Sequence, residues 1–364
     1  MPILCDVIVV GAGPAGAVAA RVLALKGLDV IMLDKSISSQ PKVGESLPGA
    51  ITPLLQATGL YPWFLKSKPL RNYGNISIWG SDSPQETDFI NDPYGCGWHV
   101  DRPRFENYLR EAAIDAKARF LHKPLTSVKT TAQSVEVNAG DCTITARWII
   151  DASGKSRTVA ERLGGIIHRG PPLLSLYSWY SSHHADTRSI VEAIPTGWWY
   201  SAGLPEDKRV LALQVNPKEA RLYRQPADFI AHLRDSQHIK RWFADDEHHD
   251  APVHMTDATG SHLVNVSGQR WLAIGDAALS FDPLSSQGIY NSVYTGLRGA
   301  QAVFASLNNG DQTLLTEYNE RILTIYSTYK EEIRRYYRQE QRWPEESFWA
   351  IHHNNKKQFL PRET

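Results

Sequence analysis

Gly11-x-Gly13-x-x-Gly16 follows the β-branched run VIVV (residues 7–10) without a gap, and the next apolar run ends on Asp34. Those residue types in that order suit the chemistry of holding a dinucleotide. Gly11 permits a tight turn, Gly13 lets the backbone approach a pyrophosphate, and Gly16 lets the following helix pack close to the strand, so that phosphate charge meets a helix N-terminus. Asp34 stands about where an acid accepts hydrogen bonds from an adenosine ribose. A glycine triad alone is a weak signal; strand, glycine loop, helix, strand and acid in sequence are a strong one. The segment by itself does not separate a flavin from a nicotinamide dinucleotide.

Several elements have to position that chemistry. A helix rich in Ala, Val and Leu is predicted from about Ala15 to Leu25, with Gly27 as its left-handed C-cap and a second buried strand over 28–33. Far along the chain, RWLAIGDAALSFDPLSSQGIYNSVYTG (270–296) predicts a strand over 271–274, a Gly275-Asp276 turn, a loop holding Pro283 and Gly288, and a helix. WIIDASGKSR (148–157) reads as a buried strand ending on Asp151, and 125–150 alternates like a small β-meander with a turn at 138–141. Residues 311–343 carry helical spacing that Pro344 is expected to stop. Tyr318, Tyr326, Tyr329, Tyr336 and Tyr337 form an aromatic stripe there, read as core packing rather than a cofactor box.

At 364 residues and 40.8 kDa the chain exceeds one ordinary core, so two closely packed domains are expected. Lys plus Arg equals Asp plus Glu at 39 each, with no block of one sign, which argues against nucleic-acid and membrane partners. Cys5, Cys96 and Cys142 lie far apart, without the spacing of a zinc site or disulfide framework, and no metal site is expected. His183-His184 and His248-His249 read as surface pairs without a third ligand. No signal peptide or apolar span is read, and a cytoplasmic protein is expected.

Taken together, the GxGxxG segment, VGESLP (43–48), HVDRPRFENYL (99–109), WIIDASGKSR and the 270–296 stretch resemble the flavoprotein monooxygenase family, which includes p-hydroxybenzoate hydroxylase and the flavin-dependent halogenases. The resemblance implies an α/β fold: a p-hydroxybenzoate-hydroxylase-like FAD-binding Rossmann domain with an interleaved β-sheet substrate domain and C-terminal helices. The FAD-binding domain is then discontinuous, over 1–75, 100–170 and 262–310, with a substrate domain over 76–99 and 171–261 and a helical region over 311–364. The resemblance assigns the adenosine and pyrophosphate end of FAD to Gly11, Gly13, Ala15, Gly16, Asp34 and Lys35. Gly44, Glu45 and Ser46 would lie against the flavin ring, Arg102 would reach the phosphates, and Asp276 would bond the ribityl chain. Pro283, Gln287, Gly288 and Ile289 would present backbone N–H groups to the pyrimidine edge, where reduced flavin carries negative charge. Asp151 is implied near the cofactor or, alternatively, as a cap of the following turn.

No second GxGxxG is present, so the electrons come from transiently bound NAD(P)H or from a separate reductase, with O2 as co-substrate. Oxygen delivery to an electron-rich ring requires a closed, aromatic pocket, and GWWYSAGLP offers Trp198, Trp199 and Tyr200 for its walls. Glu45 and His99 are the catalytic candidates, because the family places both segments on the substrate side of the flavin. Halogenases carry a lysine where this chain has Asn72, Tyr73 or Gly74, with Lys66 and Lys68 earlier and facing solvent, which disfavours halogenation. GWHVDR, GWWYSAGLP and RWPEESFW further resemble the maturation flavoproteins of quinone-cofactor oxidases, those of lysine ε-oxidase and glycine oxidase. That resemblance implies a protein partner, a precursor oxidase whose tryptophan is hydroxylated on the way to cysteine tryptophylquinone. The alternatives are a small-molecule indole or phenol hydroxylase or halogenase, and a non-catalytic FAD-containing maturation chaperone.

Overall fold

The computed structural model describes residues 2–35, 42–182, 185–243 and 251–353. The two histidine pairs of the sequence fall outside these residues. Val7–Val10 is fully apolar and buried on both faces, as a central parallel strand must be. It pairs with Val30–Asp34 on one side and Trp148–Asp151 on the other, inside a six-stranded sheet that continues to Arg119–His122 at one edge and through Trp271–Ala273 to Ser267–Gly268 at the other. Every pairing in it is parallel except the last, at the Ser267–Gly268 edge. The helices Pro14–Leu25, Arg102–Asp115 and Gly288–Asn309 bury their small-residue faces around it. The predicted meander is present over Leu125–Thr130, Val135–Ala139 and Cys142–Ala146, turning at Gly140 with φ +58°.

A seven-stranded sheet supplies the second layer, in the order His254–Asp257, Leu174–Ser181, Lys208–Val215, Gly197–Leu204, Ser189–Ile194, Gly74–Ile78, Gln85–Asp88. Its outer face is covered by apolar residues of 220–243, and its inner face looks toward the glycine loop across a cavity. Gly74–Ile78 lies across residue 75 within the large sheet, and Gly97–His99 pairs outside it, with Ser46–Leu47 and Leu70–Asn72.

The C-terminal helix runs over Thr313–Gln339, not as far as Pro344. It ends because Glu340 turns extended at ψ 107° and its carboxylate takes up the Gly80 and Arg342 N–H groups and the Arg342 guanidinium. A last helix, Ser347–His353, brings Phe348 and Trp349 into a cluster with Trp79, Trp198 and Tyr337. No helix among the described residues is long and apolar enough to cross a membrane.

Candidate active site

Gly11 sits at φ +105°, and a Cβ there would lie 2.2 Å from the Ala152 carbonyl oxygen, so the turn after the first strand tolerates only glycine. Gly16 packs equally tightly, against the Gly11 carbonyl, and therefore shapes the loop from behind rather than lining the cavity. Gly13 differs: a Cβ there would meet nothing within 4 Å. That open ground lies before a helix whose first amides no side chain caps, the positively polarised helix end that suits a phosphate. Asp34 Oδ2 accepts the Ala12 N–H at 2.8 Å, tying the second strand to the loop while the carboxylate faces the cavity. The fit to an extended dinucleotide rests on these features.

A cavity of about 860 Å³ begins at this loop and ends under the seven-stranded sheet. Gly11, Gly13, Ala15, Asp34 and Lys35 line one end; Gly44, Glu45, Ser46, Arg102 and Asp276 line its length; Pro283, Gly288 and Ile289 reach it near Trp198 and Tyr200. Gln287 instead faces a neighbouring hollow between the helices Gly288–Asn309 and Thr313–Gln339. Trp199 is not a wall of the cavity, which corrects its expected place in the substrate pocket. Side chains alternate along a strand, so Trp198 and Tyr200 point inward and Trp199 points outward onto Phe229, at 5.0 Å between ring centroids.

Arg102 opens its helix directly after Asp101, whose carboxylate caps it. Its guanidinium bonds the Val43 and Gly44 carbonyls at 3.2 and 2.7 Å and pairs with Glu106 at 2.6 Å, so it fixes the Gly-Glu-Ser segment from below while its Nε stays unbonded. Glu45 is 1% exposed; its Oε2 accepts the Gly44 N–H at 2.8 Å and its Oε1 takes no hydrogen bond. Burial pushes this carboxyl above its ordinary range, and the Tyr200 hydroxyl lies beside it. His99 is one layer back. It lies outside the cavity lining, bonds Ser189 at 3.0 Å, and is held neutral, pushed down to about 3 by burial and the nearby Arg209.

Asp151 turns out to cap the segment that follows it: Oδ2 accepts the Val159 and Ala160 N–H groups at 2.9 and 2.8 Å, and Oδ1 accepts from Ser153. Three residues that the motifs did not single out do more. Arg157, in the left-handed region at φ +43°, is fully buried and bonds the Ala277 carbonyl and Ser261, locking the Gly275–Ala277 turn to the Asp151 loop. Lys155 lines the cavity, bonded to the Asp257 and Thr259 carbonyls at 2.7 and 3.0 Å, near Asp276 and Asp282. Asp282 caps the turn at Pro283, accepts the Tyr337 hydroxyl at 2.9 Å and, through burial, is pushed up to about 6. Their common signal is a charged residue embedded in an otherwise small or apolar run.

Asn72 is buried and bonded to its neighbours, Tyr73 is exposed, and Gly74 abuts the Thr87 carbonyl; Lys66 and Lys68 face solvent as expected.

Comparison with known proteins agrees with this geometry. The chain is 25% identical to LodB of Marinomonas mediterranea, a FAD-dependent oxidoreductase by name, over 96% of each chain. It is 28% identical to the menaquinone reductase of Mycobacterium tuberculosis, over 81% of this chain and 76% of that one. Among solved structures it resembles the flavin-dependent halogenase CmlS, with TM-score 0.86, 22% identity, and 96% of this chain and 67% of that chain covered. It also resembles QhpG, a peptidyl tryptophan dihydroxylase essential for tryptophylquinone cofactor biogenesis, with TM-score 0.78, 22% identity, and 99% and 81% covered. Residues 4–329 match the FAD binding domain family, and the chain is a member of that family, an FAD-dependent oxidoreductase.

Proposed function

We propose that this enzyme hydroxylates an aromatic ring, a tryptophan side chain of a precursor oxidase, during formation of a tryptophylquinone cofactor. The observation that carries the proposal is the single cavity that runs from the glycine loop to an inward wall of Tyr177, Trp198 and Tyr200. The likeness to LodB and QhpG supports a peptidyl substrate. The halogenase-like alternative draws on the likeness to CmlS, but a residue type able to carry an oxidised halogen is missing at Asn72, Tyr73 and Gly74.

In this reading the first helix N-terminus and Arg102 hold the pyrophosphate, Asp34 the adenosine ribose, Asp276 the ribityl chain, and residues 283–289 the flavin's pyrimidine edge. When bound and reduced, FAD supplies the electrons that activate O2. The chain's part is to seat and enclose the ring. The aromatic wall excludes water, and Trp198 is fixed edge-on by the bond from its Nε1–H to the Tyr337 hydroxyl at 3.2 Å. The Glu45 carboxyl, beside Tyr200, holds a proton to higher pH than an exposed carboxyl would, and so serves as the proton-exchanging group at the ring.

Co-expression with the precursor oxidase tests the proposal: the expected result is an O2-dependent gain of oxygen on one tryptophan of the partner, read by mass spectrometry. A partner that leaves unmodified despite FAD-loaded enzyme overturns it. Bleaching of the bound flavin by NADH or NADPH identifies the electron source; bleaching only by dithionite assigns it to a separate reductase.

A further inference from the structure

Strand pairing sets Ser175, Gln214 and Trp198 side by side across three strands of the large sheet, and Tyr177, Ala212 and Tyr200 in the next inward row. All but Ala212 line the cavity. Ala212 is the small residue between two tyrosines in the row next to Gln214. The outward residues of the same strand, Leu211, Leu213 and Val215, are apolar and packed in the outer core. Gln214 is therefore a polar residue in an inward position that an aliphatic side chain would fill.

Its two amide atoms are in different circumstances. Nε2 donates to Ser175 Oγ at 3.0 Å, which leaves Oε1 as the free end of the carboxamide. Oε1 is buried and has no hydrogen-bond donor, and the residue as a whole is 2% exposed. The neighbouring indole cannot help, since the Trp198 N–H is taken by Tyr337, whose own proton goes to Asp282. A buried carbonyl oxygen left without a donor is costly, and native structures rarely keep one unless a ligand or water completes it.

We propose that Gln214 Oε1 accepts the N–H of the substrate's indole, making Gln214 the residue that selects an indole ring over rings without that donor. The proposal rests on the aromatic-oxygenation reading above and names the group that recognises the ring. Indole nitrogen only donates, so a buried acceptor left without a donor complements it, and N-methylation of the ring removes the match. A site built around one buried hydrogen bond rejects the analogue that leaves it unmade.

The test is equilibrium binding to the FAD-loaded enzyme, read by perturbation of the flavin's visible spectrum with skatole and N-methylskatole as probes. Wild-type enzyme is expected to bind skatole about tenfold or more tighter than N-methylskatole. Gln214→Leu and Gln214→Met, checked for unchanged flavin content, bring skatole and N-methylskatole to within about twofold of each other, and Gln214→Glu retains the preference. Equal binding of the two rings by wild type, no perturbation by either of them, or a preference that survives in both acceptor-free variants overturns the assignment. The two readings fail separately. If the precursor oxidase is modified with unchanged KM by Gln214→Met, the recognition role falls and the function stands; if wild type selects skatole yet never modifies the precursor, the function falls and the recognition role stands.

Discussion

Asp282 and Glu45 are both carboxyls stripped of water, and the consequence is a stability that depends on pH in the direction opposite to a salt-bridged acid. Asp282 rises from 3.8 to about 6 on burial, with Lys155 and the Tyr337 hydroxyl opposing the shift. The folded protein thus holds this proton more tightly than the unfolded chain does. Its contribution is complete below the unfolded value and is lost as the pH rises through the folded one, a change on the order of 3 kcal/mol. Asp282→Asn removes the titration, so its melting temperature relative to wild type is expected to climb between about pH 4 and pH 7; a difference that stays flat across that range contradicts the buried-acid picture. At the other end of the cavity, Gly11→Ala drives a Cβ into the Ala152 carbonyl at a positive φ. The cost, about 2 kcal/mol or more, falls on the phosphate loop itself, so the purified variant is expected to be colourless. Retention of the yellow flavin spectrum would mean that the loop can re-form without its turn.

The long helix Thr313–Gln339 acts as a brace for the Pro283 loop rather than as filler. Its aromatic stripe reads in the sequence as packing, and Tyr318 fits that reading in being buried, though its hydroxyl also bonds the Ala273 carbonyl at 2.8 Å. Tyr329 accepts the Asp282 N–H at 2.8 Å and Tyr337 donates to the same residue's carboxylate, so two points on one helix grip the residue that introduces Pro283. Periodicity reveals that these tyrosines share a face; it cannot reveal that their hydroxyls meet a loop some fifty positions earlier. Tyr336, on the turn between, is exposed. Tyr329→Phe and Tyr337→Phe should each weaken FAD binding by about three- to tenfold, the worth of one buried hydrogen bond, while Tyr336→Phe leaves it unchanged. Fluorescence titration of the apoprotein with FAD distinguishes the three; equal behaviour of Tyr336→Phe and Tyr337→Phe would remove the brace.

At the scale of the whole molecule, what the sequence made legible was local: Val7 to Asp34 is one continuous βαβ unit, and Gly275-Asp276 closes another strand. Strand parity was legible too, and would have separated Trp198 from Trp199. Gln214, Arg157 and Asp282 were not, because each gains its meaning from a partner remote in the chain: Ser175, Ala277 and Tyr337. The same remoteness governs stability. The large sheet is joined to the rest through Trp79 bonded to the Tyr336 carbonyl at 2.7 Å, Trp349 bonded to the Ile194 carbonyl at 3.0 Å, and Glu340 accepting the Gly80 N–H. The cavity adds a further seam, since its walls come from both large sheets and from the loop at Pro283. A ligand in that cavity holds the layers together, so FAD at about a hundred times its dissociation constant should contribute roughly 2.7 kcal/mol, a rise of about 3 to 4 °C for a chain of this size. Calorimetry of apo and FAD-loaded protein is expected to show one transition moving as a whole. Two transitions, with only one responding to FAD, would mean that the aromatic sheet folds independently and that the cofactor does not bridge it.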